Sequence, residues 1–332
     1  MSSYIIRKLV GITEKEINKK IKKKYKYLYT DSEKQKIKIS STLEKYINQW
    51  RIPPAYPIVK IFLGVDDSKD DTYYAIGTDL KGRSQYLYTT YHNTISNYEK
   101  YCKLVTVGQK YKEIFSKIQK DLQHSTFTKE KLIALLLLIM IKCQFRPGHK
   151  KYKQEYGSIG LTTLQKKHIT ERNNKIEIKF IGKKGVINEC TLTDKKIISE
   201  LSKLIQKKKK NDTIFSYGDI SIEPTDINNY LPQTITAKNI RTWDANVEFI
   251  KGVRKFSESL ADTKKKRKKQ LTNVIKNVAS KLHHSIAICK KSYIDTALTD
   301  MFMDEPLKFT YLFIHKRSIE KSLISFFKNK CL

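Results

Sequence analysis

The stretch "HHSIAICKKSYID", His283 to Asp295, places a phenol, Tyr293, nine residues after a histidine, His284. A tyrosine can serve as a covalent nucleophile, but phenols with a pKa near 10 are weak ones until neighbouring groups activate them. Three cations upstream stand in marked contexts. Arg146, in "CQFRPGHKKY", comes directly after the apolar run "LIALLLLIMI", where a core ends. Lys183 lies between two arms of alternating apolar residues in "NKIEIKFIGKKGVINECTLT", at the tip of an expected hairpin. Arg241, in "TAKNIRTWDAN", follows a helix start and precedes a tryptophan expected to be buried. Each also has a bland structural reading. Helix-end arginines pair with the dipole or clamp phosphate, tip lysines are solvated, and His284 beside His283 fits a surface pair. Tyr293 is one of 20 tyrosines, and alone nothing sets it apart.

The elements that must hold these residues follow from periodicity. Residues 11–50 are rich in Lys, Glu and Ile, which predicts a charged helical extension over about 1–50. Pro53, Pro54 and Pro57 end that pattern and hand over to a strand. "TYYAIGTDLKGRSQYLYTTYHN" predicts a β-hairpin turning at Asp79 to Gly82. The N-terminal domain is thus expected to be β-rich and to span 1–96. From 97 to 332 helical patterns dominate, interrupted by the hairpin near 174–192. "LIALLLLIMI" is about half the length that crosses a bilayer and reads as a buried helix. In "LTNVIKNVASKL", Leu271, Val274, Ile275, Val278 and Leu282 share one face and read as core. The fold class is therefore α+β, a small β-rich domain followed by a larger, mainly helical one.

Composition narrows the partner. The 332 residues carry 66 Lys and Arg against 33 Asp and Glu, a net charge of +33, which repels itself unless a polyanion neutralises it. DNA or RNA is the commonest such polyanion. The five cysteines are scattered without a CxxC or Cys/His cluster, which argues against a zinc site or a disulfide framework and for a reducing compartment. "MSSYIIRKLVGITEKE" lacks the apolar core of a signal peptide. "VDDSKDD", Val65 to Asp71, reads as turn chemistry in place of a metal site, and no GxxxxGK[ST] phosphate loop is present.

Taken together and in this order, Arg146, Lys183, Arg241, His284 and Tyr293 resemble the catalytic pentad of type IB DNA topoisomerases, particularly the compact enzymes of poxviruses and other large DNA viruses. The matching stretches are "YGSIGLTTLQKKHI", "IEIKFIGKKGV", "AKNIRTW" and "CKKSYI", with "IPPAYPIV" and "AIGTDLKGRSQYLY" similar to the family's N-terminal DNA-clamping domain. The resemblance covers roughly 50–300. It implies a catalytic domain of the tyrosine recombinase/topoisomerase type and a C-shaped clamp around duplex DNA. It further implies a monomer that relaxes supercoils without metal, ATP or other cofactor, and no membrane partner. An intracellular site, in the virion or in the host cytoplasm or nucleus, is the matching location. Leu282 and His283 before His284, and Asp244 after "RTW", depart from the family's usual pattern.

The chemistry is intelligible on its own terms. In-line attack on a phosphodiester builds negative charge on the non-bridging oxygens, which two guanidiniums, Arg146 and Arg241, are shaped to receive, with His284 as a third donor. The departing 5′ oxygen needs a proton, and Lys183 is placed to be the general acid. Tyr293 would store the bond energy as a 3′-phosphotyrosyl ester. Arg83, Gln85, Tyr86 and Tyr88 on the first hairpin are expected in the major groove. The resemblance implies Lys151 and Tyr152 as further DNA contacts, and Lys238 is expected to help orient the scissile phosphate. The rivals are a tyrosine recombinase or integrase, which usually carries HxxR where this chain has Lys238 to Arg241, and a non-catalytic basic DNA-binding protein.

Overall fold

The computed structural model describes residues 3–17, 20–69, 72–256 and 263–331, so Asp70 and Asp71 of "VDDSKDD" lie outside the described residues. The chain divides into two compact units, Met1–Lys100 and Tyr101–Leu332. The division falls inside a long helix, four residues beyond the expected boundary at 96.

The first unit is built on a five-stranded antiparallel sheet of order β2-β1-β3-β4-β5. Its first two strands, β1 (Tyr4–Ile17) and β2 (Lys20–Thr30), stand where a charged helical extension is expected, and among the described residues there only α1 (Ser41–Gln49) is an α-helix. The correction has a physical reason. In "KYKYLYT" aromatic residues recur with a period of two, and "YIIRKLV" is rich in β-branched and aromatic residues, strand signals that lysine content hides. β3 (Ile58–Phe62) follows the prolines, and β4 (Tyr73–Thr78) and β5 (Ser84–Tyr88) form the expected hairpin. Its turn closes through Gly82 N donating to Asp79 O at 2.9 Å. One sheet face buries Ile5, Val59, Ile61 and Ala75 under α1, where Trp50 stacks on Tyr74 at 4.1 Å. Arg7 is buried on that face too, its Nη2 donating to Pro53 O at 2.7 Å. The opposite face carries a row of rings, Tyr4, Phe62, Tyr73, Tyr86 and Tyr88.

In the second unit, α3 (Lys129–Cys143) is apolar all round, and Leu132 to Met140 are buried without a break, as a helix at the centre of a large core must be. The long α2 (Thr90–Asp121) precedes it and α4 (Lys150–Tyr156) follows. A three-stranded sheet, β6 (Ile169–Arg172), β7 (Lys175–Ile181) and β8 (Ile187–Leu192), contains the expected hairpin as β7 and β8. Ile176, Ile178 and Phe180 alternate inward along β7. Helices α5 (Lys195–Ile205), α6 (Pro224–Tyr230), α7 (Ala237–Arg254), α8 (Lys264–Lys281), α9 (Ile286–Ser292), α10 (Thr296–Asp304), α11 (Pro306–Phe309) and α12 (Ile319–Lys330) complete the unit. α8 buries Leu271, Val274, Ile275 and Val278, the face its spacing predicts, with Leu282 buried just beyond its end.

Four of the five cysteines are paired, Cys102 with Cys331 and Cys143 with Cys190, while Cys289 is free and buried. The expectation of unpaired thiols is corrected because pairing depends on packing rather than spacing. The partners lie 229 and 47 residues apart and meet only once the chain has folded. Scattered spacing therefore carries no information about redox compartment. Among the described residues, no helix is long and apolar enough to cross a membrane.

Candidate active site

Arg146 leaves the end of α3 on a backbone that is fixed at several points. Gln144 takes the left-handed conformation at φ 54, Phe145 is fully buried, and Arg146 O accepts from Leu161 N at 3.0 Å. Gly148 and Gly160 cross so closely that a Cβ on Gly160 would lie 2.4 Å from Gly148 Cα. The glycine in "YGSIGLTT" thus lets that loop close on the segment carrying Arg146.

Arg241 lies in the second turn of α7, whose start is capped by Thr236 and Asn239. Its side chain is 2 % exposed, and each guanidinium nitrogen has a partner. Nε donates to Gln144 O, Nη2 to Leu282 O and Nη1 to Tyr293 Oη, each at 3.1 Å. Burial lowers its pKa, and the Tyr293 phenol opposes that shift. The carbonyl at Gln144 is itself anchored through its side chain. Asp244, the residue that departs from the family pattern, accepts Gln144 Nε2 and Tyr111 Oη, both at 2.8 Å. Burial raises Asp244 to about 6.

The chain then separates the two adjacent histidines. His283 has φ 54, and its Nε2 lies 2.9 Å from Cys143 O while its ring packs on Phe145. His284 faces the other way, with its ring centroid 4.5 Å from that of Tyr293 and Arg146 Nη2 at 2.9 Å from its ring nitrogens. A guanidinium charge this close disfavours a second charge on the ring, which favours the neutral imidazole. Its pKa is pushed down to about 3, first by burial and then by the charges of Arg146, Arg241, His283 and Lys183.

This shift fixes a sign. The folded value lies below that of an ordinary histidine, so between about pH 6.5 and 3 the unfolded chain binds more protons at this site and folding stability falls as pH falls. Asp244, raised to about 6, acts in the opposite sense, losing stability as pH rises through its folded value. The difference between native protein and His284→Gln isolates the histidine. In denaturant titrations at several pH values, stability relative to the variant is expected to decline below about pH 6.5. A pH-independent difference would contradict the assignment of a neutral His284.

Tyr293 closes α9 and is 7 % exposed. Its neighbours are pinned to three other helices. Asn246 on α7 donates to Tyr293 O at 2.9 Å and accepts from Asp295 N at 3.0 Å. Tyr101 Oη in α2 donates to Ile294 O at 2.7 Å, and Lys330 in α12 meets the Asp295 carboxylate at 2.8 Å. Sequence reading missed Asn246, whose only available signal was its place five residues after Arg241 on the same helix. Asn246→Ala is expected to strand two buried backbone groups at a cost of about 1–3 kcal/mol each. Chemical denaturation checks the loss, and an unchanged midpoint would refute it.

Lys183 occupies the exposed tip between β7 and β8, where Gly182 N donates to Val186 O at 2.8 Å and Asn188 Nδ2 donates to the same oxygen at 2.9 Å. Its charge is among those that depress His284, which places it within electrostatic reach of the imidazole. Arg241, Tyr293, His284 and Arg146 are thus joined by successive contacts, and the Lys183 charge acts on His284.

The expected DNA contacts are more dispersed. Tyr152 on α4 is 55 % exposed and Lys151 pairs with Glu155 at 3.7 Å. Lys238 is exposed one turn before Arg241. On β5, Tyr86 and Tyr88 stand on the exposed face, but Gln85 points to the opposite side with Leu87. Arg83 and Gln85 both donate to Asp79 Oδ2, at 2.6 and 3.2 Å. The structure therefore does not gather these four residues on one face. Among the described residues, no group of three or more His, Cys, Asp or Glu is placed to hold a metal ion.

Residues 89–305 match the family model for the catalytic core of eukaryotic DNA topoisomerase I. Curated relatives include DNA topoisomerase 1B of Acanthamoeba polyphaga mimivirus, 28 % identical over 299 residues that cover 85 % of this chain and 86 % of the relative. DNA topoisomerase 1B of Vaccinia virus is 27 % identical over 232 residues, 69 % of this chain and 72 % of the relative. DNA topoisomerase I of Monkeypox virus is similar to the same extent.

Proposed function

The chain belongs to the DNA topoisomerase I catalytic-core family, and from that premise we propose that it relaxes supercoiled duplex DNA by the type IB reaction, with Tyr293 as its nucleophile. The observation that carries the residue assignment is the contact of Arg241 Nη1 with Tyr293 Oη at 3.1 Å, beside the Arg146–His284 pair. Arg241 reaches the hydroxyl, His284 packs beside the ring and Arg146 lies against His284, and all come from a single chain, which supports action as a monomer.

In the cleavage step, Tyr293 Oη attacks the scissile phosphorus as the bond from phosphorus to the 5′ oxygen breaks. Arg241 holds the attacking oxygen and offers charge to the phosphoryl oxygens. Arg146 exchanges its imidazole partner for phosphate when DNA arrives, and His284 then donates to the same group. The leaving oxygen takes a proton from Lys183, and the phenolic proton passes to solvent. The product keeps a phosphoester in place of the one broken, so religation is the reverse step and needs no ATP. Between the two steps the free end rotates. The C-shaped clamp formed by the two units around the duplex is part of this proposal and rests on family membership.

Supercoiled plasmid incubated with the protein in EDTA without nucleotide is expected to yield a ladder of relaxed topoisomers. Trapping the covalent complex and mapping the modified residue by mass spectrometry should find a 3′-phosphate ester on Tyr293. Plasmid left supercoiled, or relaxation that requires a divalent ion, would overturn the proposal.

A further inference from the structure

β1 and β2 pair over a longer span than the rest of their sheet. β3 covers β1 only from Tyr4 to Lys8, whereas β1 and β2 remain paired out to Ile17 and Lys20. The arms beyond β3 form a two-stranded ribbon about 25 Å long at a rise of about 3.3 Å per residue.

Register divides the charges of this ribbon between its two faces. Lys26, Lys24 and Lys22 lie opposite Gly11, Thr13 and Lys15, while Lys23 lies opposite Glu14 and Ile21 opposite Glu16. Both acids of the ribbon therefore share one face, where Lys23 meets Glu14 at 2.6 Å. The other face holds Lys15, Lys22, Lys24 and Lys26, all exposed, and no carboxylate at its described strand positions.

The all-lysine face is continuous with a larger one. Ile6, Lys60, Ile76 and Tyr86 are paired in register across β1, β3, β4 and β5, so the lysines stand on the side of the sheet that carries Tyr86 and Tyr88. No acidic residue occupies a described strand position on that side. β2 lies four strand spacings from β5, about 19 Å. Lysines on an edge strand also discourage pairing with other chains. That role is served by either face and leaves the sorting of acids from lysines unexplained.

We propose that the lysine face of the β1–β2 ribbon binds the phosphate backbone of duplex DNA, extending the contact surface beyond the reach of β5. The inference rests on the duplex-DNA reading above. A two-stranded ribbon has the dimensions to lie along a groove, and each lysine that neutralises a phosphate releases condensed counterions. The ribbon's share is therefore legible as salt dependence.

The test compares duplex binding against salt for native protein, Lys22→Thr/Lys24→Thr/Lys26→Thr, the same three positions changed to Arg, and Lys23→Thr. Threonine keeps strand propensity, so the ribbon is retained. The triple Thr variant is expected to lose about 2–3 from the slope of log K against log salt, and the Arg variant to retain the native slope. Lys23→Thr, on the other face, should leave it unchanged. An unaltered slope in the triple Thr variant, with native protein that still relaxes plasmid, overturns the ribbon proposal alone. Native protein that neither relaxes plasmid nor responds to salt overturns the DNA reading beneath it.

Discussion

Tyr293→Phe protein should bind supercoiled plasmid and leave it supercoiled. The substitution removes one oxygen, changes no charge and keeps the ring that packs against His284 at 4.5 Å. What it abolishes is the oxygen proposed to form the phosphoester, so turnover is expected to fall on the order of 10⁵-fold or more, below any relaxation assay. The folding cost is small by comparison. Arg241 Nη1 loses one of the three partners of its guanidinium, a change of about 1 kcal/mol. Gel mobility shifts should match those of the native protein while the covalent complex disappears from denaturing gels. Persisting relaxation would move the nucleophile to another residue. A variant that no longer binds would mean that Tyr293 acts in affinity and would remove the chemical reading.

Lys183→Ala is expected to slow single-turnover cleavage of an ordinary duplex by about 10²–10⁴-fold, the usual worth of a positioned general acid. The signature lies in the substrate. A 5′-bridging sulfur leaves readily without a proton, so cleavage of that substrate by the alanine variant should approach the native rate. Lys183 stands on an exposed tip outside the core, so the alanine variant is expected to keep the fold. Equal slowing on the oxygen and sulfur substrates would reassign the lysine to phosphate binding.

How far the sequence could be read differs between the two units for physical reasons. In the second unit the strongest signals were local. Fifteen residues of α3 contain an apolar run that a surface helix cannot carry, and β7 and β8 alternate around a glycine-bounded tip. Those elements bracket Arg146 and Lys183, so the setting of both was legible. The nine-residue spacing to Tyr293 singled out His284 over His283, but the physical separation of the two rings was not legible. It is made by the left-handed turn at His283 and by Cys143 O, which holds the first ring away from Tyr293. The roles of Asn246, Asp244 and Gln144 were invisible because each depends on helices that meet only in three dimensions. The N-terminal ribbon misled in the opposite way. Its lysines mimic the composition of a solvated helix, and only the period-two placement of Tyr25, Tyr27 and Tyr29 against Lys24 and Lys26 reveals strands.

The anchoring around Tyr293 also has a mechanical meaning. In the proposed reaction a DNA end is tethered to the phenol, and any residual twist in the duplex then pulls on that one side chain. The main chain at Tyr293, Ile294 and Asp295 is tied to α7 by Asn246, to α2 by Tyr101 and to α12 by Lys330. That load would be shared between α9, a helix of seven residues, and the three helices bonded to its end. The tyrosine is held as a rivet is held, from several directions, so that the free strand can swivel while the bound one stays still.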